Sequence, residues 1–131
     1  MTYALEILDL KKTYSGGTEA LKGISLSVQE GDFYALLGPN GAGKSSTIGI
    51  IGSLVTKSSG QVKIFGEDID LNAAEAKSML GVVSQEINFS QFEKVIDIVI
   101  TQAGFYGIRK SDAVPKVEDI LKKLSLWDKR N

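Results

Sequence analysis

The sequence predicts an α/β fold: an N-terminal antiparallel β part, a strand–loop–helix unit and further helices. Three observations predict it. Gly38-Pro39-Asn40-Gly41-Ala42-Gly43-Lys44-Ser45 matches the spacing G-x-x-x-x-G-K-[ST]. Phe33-Tyr34-Ala35-Leu36-Leu37, just before it, is a continuous apolar run of strand length, the pattern of a strand buried on both faces. Ile48, Ile51 and Val55 follow at helical spacing, with Gly49 and Gly52 leaving room for close packing against a sheet. Strand, glycine loop and helix in that order are the context in which this motif holds phosphate. By residue usage alone the motif would arise in a chain this short on the order of once in a hundred or more sequences.

The loop's chemistry follows from its spacing. Glycines let successive backbone N–H groups turn toward one point and form a concave nest for an anion. Lys44 supplies a flexible point charge for the β- and γ-phosphates, and Ser45 a hydroxyl placed to ligate Mg²⁺. The helix expected to start around Gly43 aims its positive dipole end at the same place.

The other elements are read in chain order. Leu5 to Leu10 is a first strand, and Ile24-Ser25-Leu26-Ser27-Val28 alternates like a strand with one solvated face. Ser15-Gly16-Gly17-Thr18 and Glu30-Gly31-Asp32 are turns. This opening, followed by a buried strand, predicts two sheets meeting near the phosphate loop. Lys57 to Gly60 is a loop, Gln61–Phe65 a strand ending at Gly66, and Asn72 with Glu75 a capping box for a short helix. Leu80-Gly81-Val82-Val83 reads as a second short apolar strand. Phe92, Val95, Ile96, Val99 and Ala103 form one helical stripe; Val114, Val117, Leu121 and Leu124 form another. The second has Ser111 or Asp112 as N-cap and Pro115 in its first turn. Trp127 is assigned to packing.

Composition narrows the functional classes. At 131 residues the chain accommodates one modest domain. A net charge of −1, without Lys/Arg runs, argues against nucleic acid as a partner. There is no cysteine and no histidine, which removes thiolate and imidazole chemistry and fits a reducing compartment. No run approaches membrane-spanning length, so a membrane role is expected to come through a partner.

The stretch from Gly31 through Ser45, with Gly60-Gln61-Val62 and Gly66, resembles the nucleotide-binding subunit of ABC transporters, and most of all bacterial subunits of the ABC-2 exporter type. The similarity runs from about Leu5 to the C-terminus and implies a partial P-loop NTPase (ABC ATPase) fold. Residues 1–131 then form the N-terminal portion of a single ATP-binding domain. The resemblance places Tyr14 as the aromatic that stacks on adenine, a role requiring only a π face. It implies that Gly38, Pro39, Asn40, Gly41, Ala42, Gly43, Lys44 and Ser45 cradle the phosphates, and that Ser46 bonds the α-phosphate where the family more often has threonine. Gln85 matches the family's Q-loop glutamine, a magnesium ligand that can also orient water; Ser45 and Gln85 are then the metal residues. Glu86 to Phe89 fall where the family meets its transmembrane permease subunit. Ser15-Gly16-Gly17 imitates the family's signature motif but precedes the phosphate loop, and is a turn.

Phosphoryl transfer to water also needs a carboxylate to hold the metal and a group to position water. In the resembling family these are an Asp-Glu pair closing an apolar run. Val95-Ile96-Asp97 lies in a helical stripe and lacks the following Glu, and the signature motif and switch histidine are absent. The resemblance therefore implies ATP and Mg²⁺ as ligands and, in full-length form, a dimeric subunit on the cytoplasmic face of the membrane that couples ATP hydrolysis to export. The 131-residue polypeptide alone is expected to bind nucleotide weakly without hydrolysing it. It is also expected to self-associate, because the family's remaining strands would flank the Phe33–Leu37 run. The competing reading is a non-catalytic nucleotide-binding or interaction module. A kinase would need lid arginines, and only Arg109 and Arg130 are present; a GTPase would need Asn-Lys-x-Asp, which is absent.

Overall fold

The computed structural model describes residues 3–83 and 92–131, in two compact units, Met1–Val82 and Val83–Asn131. The first contains strands β1 (Tyr3–Thr13), β2 (Glu19–Gln29), β3 (Ser59–Ile64) and β4 (Glu67–Asp68), and helices α1 (Lys44–Ile51) and α2 (Ala73–Ser78). The strands form one antiparallel sheet in the order β2-β1-β3-β4.

β1 and β2 form the predicted hairpin. Tyr14 N–H donates to Thr18 O at 3.0 Å and Gly17 N–H to Tyr14 O at 2.9 Å, closing the turn. Within β1, Ile7 and Leu10 are both buried although three residues apart, which strict alternation would put on opposite faces. A bulge resolves this. Asp9 adopts φ 45°, the register with β2 shifts between Ile7 and Leu10, and the Ser25 hydroxyl accepts the Asp9 N–H at 2.9 Å. On β3, Gly60 makes the bulge fit: a Cβ there would lie 2.4 Å from Asp9 O.

The core of this unit joins Ile7, Leu10 and Leu21 of the hairpin to Val62 of β3 and Ile50 of α1. Burying each such side chain is worth roughly 1.5–3 kcal/mol. The inward face of α1 is Thr47, Gly49 and Ile50, whereas Ile48, expected inside, is 54% exposed. Gly49 does not make room for a sheet as expected. A Cβ there would lie 2.8 Å from Val55 Cγ2, and its carbonyl accepts the amides of Leu54 and Val55, so it lets the chain fold back beneath the helix.

Two predicted strands are corrected. Phe33–Leu37 and Leu80–Val83 join no ladder, and Phe33 and Val83 are almost wholly exposed. Hydrophobicity makes a run eligible for a strand, but a strand exists only where a neighbour supplies hydrogen bonds. Among the described residues there is consequently one sheet, not two. α2 starts where expected, yet the capping box does not form: Asn72 donates its side-chain amide to Glu67 instead.

In the second unit α3 (Val95–Phe105) and α4 (Lys110–Lys123) are followed by a 3₁₀ turn at Trp127–Lys129. Phe92 lies before α3 and is exposed, while Val95, Ile96, Val99 and Ala103 are half-buried. α4 starts earlier than predicted: extended Arg109 is its N-cap, so Pro115 falls in the second turn, not the first. Its buried stripe is Ala113, Val117 and Leu121, at i, i+4 and i+8, with Val114 and Leu124 outside. Arg130 lies 4.4 Å from the Trp127 ring and accepts the Ile96 N–H on its carbonyl, giving Trp127 the packing role expected of it. Among the described residues no helix is long and apolar enough to cross a membrane.

Candidate functional site

The Gly38–Ser45 segment leads directly into α1, as its sequence predicts. Ala42 N–H turns back to Pro39 O at 3.2 Å, and Gly41 and Gly43 both take φ 85°. Left-handed backbone disfavours side chains and suits glycine. Gly43 is further restricted by packing, since a Cβ would stand 2.6 Å from Ala20 O and 2.5 Å from Leu21 Cδ2 of β2; at Gly41 it would meet open space. The first helical bond is Thr47 N–H to Gly43 O at 2.9 Å, reinforced by the buried Thr47 hydroxyl donating to the same carbonyl at 3.0 Å.

Those bonds leave a cluster of donors. Among the described residues, the backbone N–H groups of Gly41, Gly43, Lys44, Ser45 and Ser46 meet no acceptor in the chain. The last four include the orphan amides that every helix start presents, and the left-handed glycines add the curvature of a nest. Lys44 folds over the same loop, its ammonium donating to Pro39 O at 2.7 Å and to Gly38 O. A positive charge therefore sits beside a set of unpartnered amides, a combination that attracts an anion with several oxygens. Ser45, exposed in the first turn of α1, keeps its hydroxyl accessible beside this nest.

Tyr14 is brought to the loop by the hairpin turn. Its phenol oxygen lies 3.0 Å from the Ser46 hydroxyl, joining two predicted site residues that are 32 positions apart. The Lys12 ammonium stands 4.8 Å from the Tyr14 ring centre and donates to Thr56 O at 2.6 Å. Sequence reasoning missed Lys12, and it missed Ala20 and Leu21 as the wall behind Gly43. Lys12, beside Lys11, reads in the sequence as an ordinary strand lysine, and which backbone lies behind a loop is a property of packing. Gln85 and the stretch Glu86 to Phe89 lie outside the described residues. No group of three or more acidic or other metal-ligating side chains converges among the described residues.

A family model described as ABC transporter matches residues 21–131. The linearmycin resistance ATP-binding protein LnrL of Bacillus subtilis (strain 168) is 34% identical over 125 residues, covering 95% of this chain and 40% of that protein. The energy-coupling factor transporter ATP-binding protein EcfA of Carboxydothermus hydrogenoformans is 36% identical over 132 residues, covering 99% of this chain and 49% of its own length. Among solved structures, cbiO1 from Clostridium perfringens, part of the ABC transporter complex cbiONQ, superposes with a TM-score of 0.78 at 26% identity, covering 100% of this chain and 54% of that one. An ATP-binding subunit of an ABC transporter superposes at 0.85 with 23% identity, a likeness of fold. The chain spans about half the length of these proteins or less. Because the family match runs over most of its residues and includes the phosphate loop, the chain belongs to the ABC transporter family.

Proposed function

We propose that residues 1–131 are the N-terminal portion of an ABC transporter ATP-binding domain, and that the Gly38–Ser45 loop binds the phosphates of ATP. The observation that carries this reading is the set of five unpartnered amides at Gly41 and Gly43 to Ser46, under the Lys44 ammonium. Pro39, Asn40 and Ala42 shape the loop, Ser46 meets the α-phosphate, and the Tyr14 ring offers a stacking face for adenine. The donor set fits a magnesium-bound triphosphate: hard oxygen ligands suit Mg²⁺, and the Ser45 hydroxyl is accessible beside the nest. With Gln85 as a second metal residue, the ion neutralises charge on the phosphates when bound.

In full-length form the protein couples ATP hydrolysis to export as a dimer on the cytoplasmic face of the membrane, meeting a permease through the stretch after Gln85. The names of relatives support the transport part of this reading: they include a linearmycin resistance ATP-binding protein and a bacitracin transport ATP-binding protein. The 131-residue polypeptide itself binds nucleotide weakly and does not hydrolyse it, since it has neither an Asp-Glu pair closing an apolar run nor a histidine. It also self-associates. Phe33–Leu37 lies outside any ladder, with Phe33 100% and Leu37 87% exposed, which leaves its backbone open to an added strand.

Calorimetric titration with Mg-ATP tests the binding. Saturable binding lost in Lys44→Ala is expected; identical heats for both proteins would overturn the assignment. Steady-state turnover abolished by Lys44→Ala would overturn the claim of inactivity, and a stable monomer by light scattering would overturn self-association.

A further inference from the structure

We infer that Asn40-Gly41 is a spontaneous deamidation site that places a carboxylate inside the phosphate loop. It is the only Asn-Gly pair in the sequence. The reaction begins when the Gly41 amide nitrogen, having lost its proton to hydroxide, attacks Asn40 Cγ. A C–N bond forms, closing a five-membered succinimide, and the side-chain nitrogen leaves as ammonia. Water then opens the ring at either carbonyl to give aspartate or isoaspartate. The net change is water consumed and ammonia released, with no oxidant or reductant.

Three features of this loop permit the attack. Asn40 and Gly41 are both exposed, so water and hydroxide reach the pair. The Gly41 N–H meets no acceptor among the described residues, so no hydrogen bond holds the nucleophile away. A Cβ built on Gly41 would meet nothing within 4 Å, so no neighbouring group crowds the glycine side of the pair. Asn72, the other asparagine among the described residues before α4, has the opposite surroundings. Its side-chain amide is tied to Glu67, and the residue after it, Ala73, is the first of α2.

The functional consequence rests on the nucleotide reading proposed above. A carboxylate among amides that receive phosphate repels the ligand, and the isoaspartate product also lengthens the backbone by one carbon within the nest. Bound phosphate would in turn occupy the Gly41 N–H and block the attack. Occupied loops would therefore keep their asparagine, and empty ones would lose it with time.

The test is peptide mapping by mass spectrometry after incubation of the 131-residue chain in mildly alkaline buffer without nucleotide. The peptide containing Asn40 should gain about one dalton. Its rate should be at least about tenfold that of Asn72, since glycine lacks the Cβ that hinders attack. It should lie within about threefold of the same peptide free in solution, because an exposed loop needs little opening. Asn40 as durable as Asn72 would overturn the inference. With Mg-ATP at ten times its dissociation constant, conversion should slow about tenfold, in proportion to the unoccupied fraction. Conversion that proceeds without nucleotide but is never slowed by it would sustain the modification and overturn the nucleotide reading. Asn40→Asp should weaken Mg-ATP binding at least about tenfold; unchanged affinity would overturn the claim that conversion disables the loop.

Discussion

The Tyr14 phenol oxygen lies 3.0 Å from the Ser46 hydroxyl, so the hairpin turn and the first helix after the phosphate loop share a hydrogen bond. Two roles of Tyr14 are thereby separable, one in its hydroxyl and one in its ring. Tyr14→Phe removes the bond and keeps the face. Because the pair is exposed, the cost in stability should not exceed about 1 kcal/mol, and Mg-ATP affinity should hold or rise slightly. Tyr14→Ala should weaken binding up to about tenfold through loss of stacking. Titrating both variants with a fluorescent ATP analogue checks the split, and equal losses would contradict it.

The two left-handed glycines of the loop should differ in tolerance. Gly41→Ala and Gly43→Ala each meet φ 85°, a conformation costing a side chain roughly 1–2 kcal/mol. Only at Gly43 would the new methyl also press against Ala20 O and Leu21. Urea unfolding should rank Gly43→Ala clearly below Gly41→Ala, by at least about 1 kcal/mol.

Ile50 is the helical residue that closes the sheet's core and is fully buried. Ile50→Ala should cost about 2–5 kcal/mol and Ile50→Val about 0.5–1.5. The adjacent Ile48 is 54% exposed, and Ile48→Ala should cost far less. Denaturant midpoints of the three variants decide whether α1 is docked through Ile50.

The Asp68 carboxyl is held below its ordinary value of 3.8. The main cause is the Asp70 N–H it accepts at 2.9 Å, followed by the Gln61 side-chain amide at 2.8 Å; the Leu71 amide and the Lys57 charge add to this, and partial desolvation opposes it. The folded value lies below the unfolded one. The resulting stability is therefore complete above the unfolded pKa, near pH 4, and is lost as pH falls through the folded pKa beneath it. Asp68→Asn should flatten the fall in stability below about pH 4 in acid-unfolding curves while leaving the neutral-pH slope unchanged.

Elements whose cause is local were legible in the sequence. The β1–β2 hairpin, the loop from Gly38 to Ser45 and the start of α1 depend on alternation and on glycine positions within a few residues, and they form as read. Phe33–Leu37 and Leu80–Val83 were not legible as non-strands, because their composition is indistinguishable from that of paired strands. The Asp9 bulge was hidden for a similar reason. Ile7 and Leu10 reach the same side only because β2 and β3 shift register around them. At the site, the motif spacing named Lys44 and the family resemblance named Tyr14 and Ser46, but the bond from Tyr14 to Ser46 and the wall formed by Ala20 and Leu21 come from the fold.

That wall sets a tolerance for engineering. The clearance between Gly43 and the β2 backbone is smaller than one methyl group, whereas a Cβ on Gly16 or Gly17 at the hairpin tip would meet nothing within 4 Å. A reporter peptide inserted at the tip should leave the loop undisturbed. A single-residue insertion around Ala20 would shift the surface on which Gly43 is seated, and the loop would move with it.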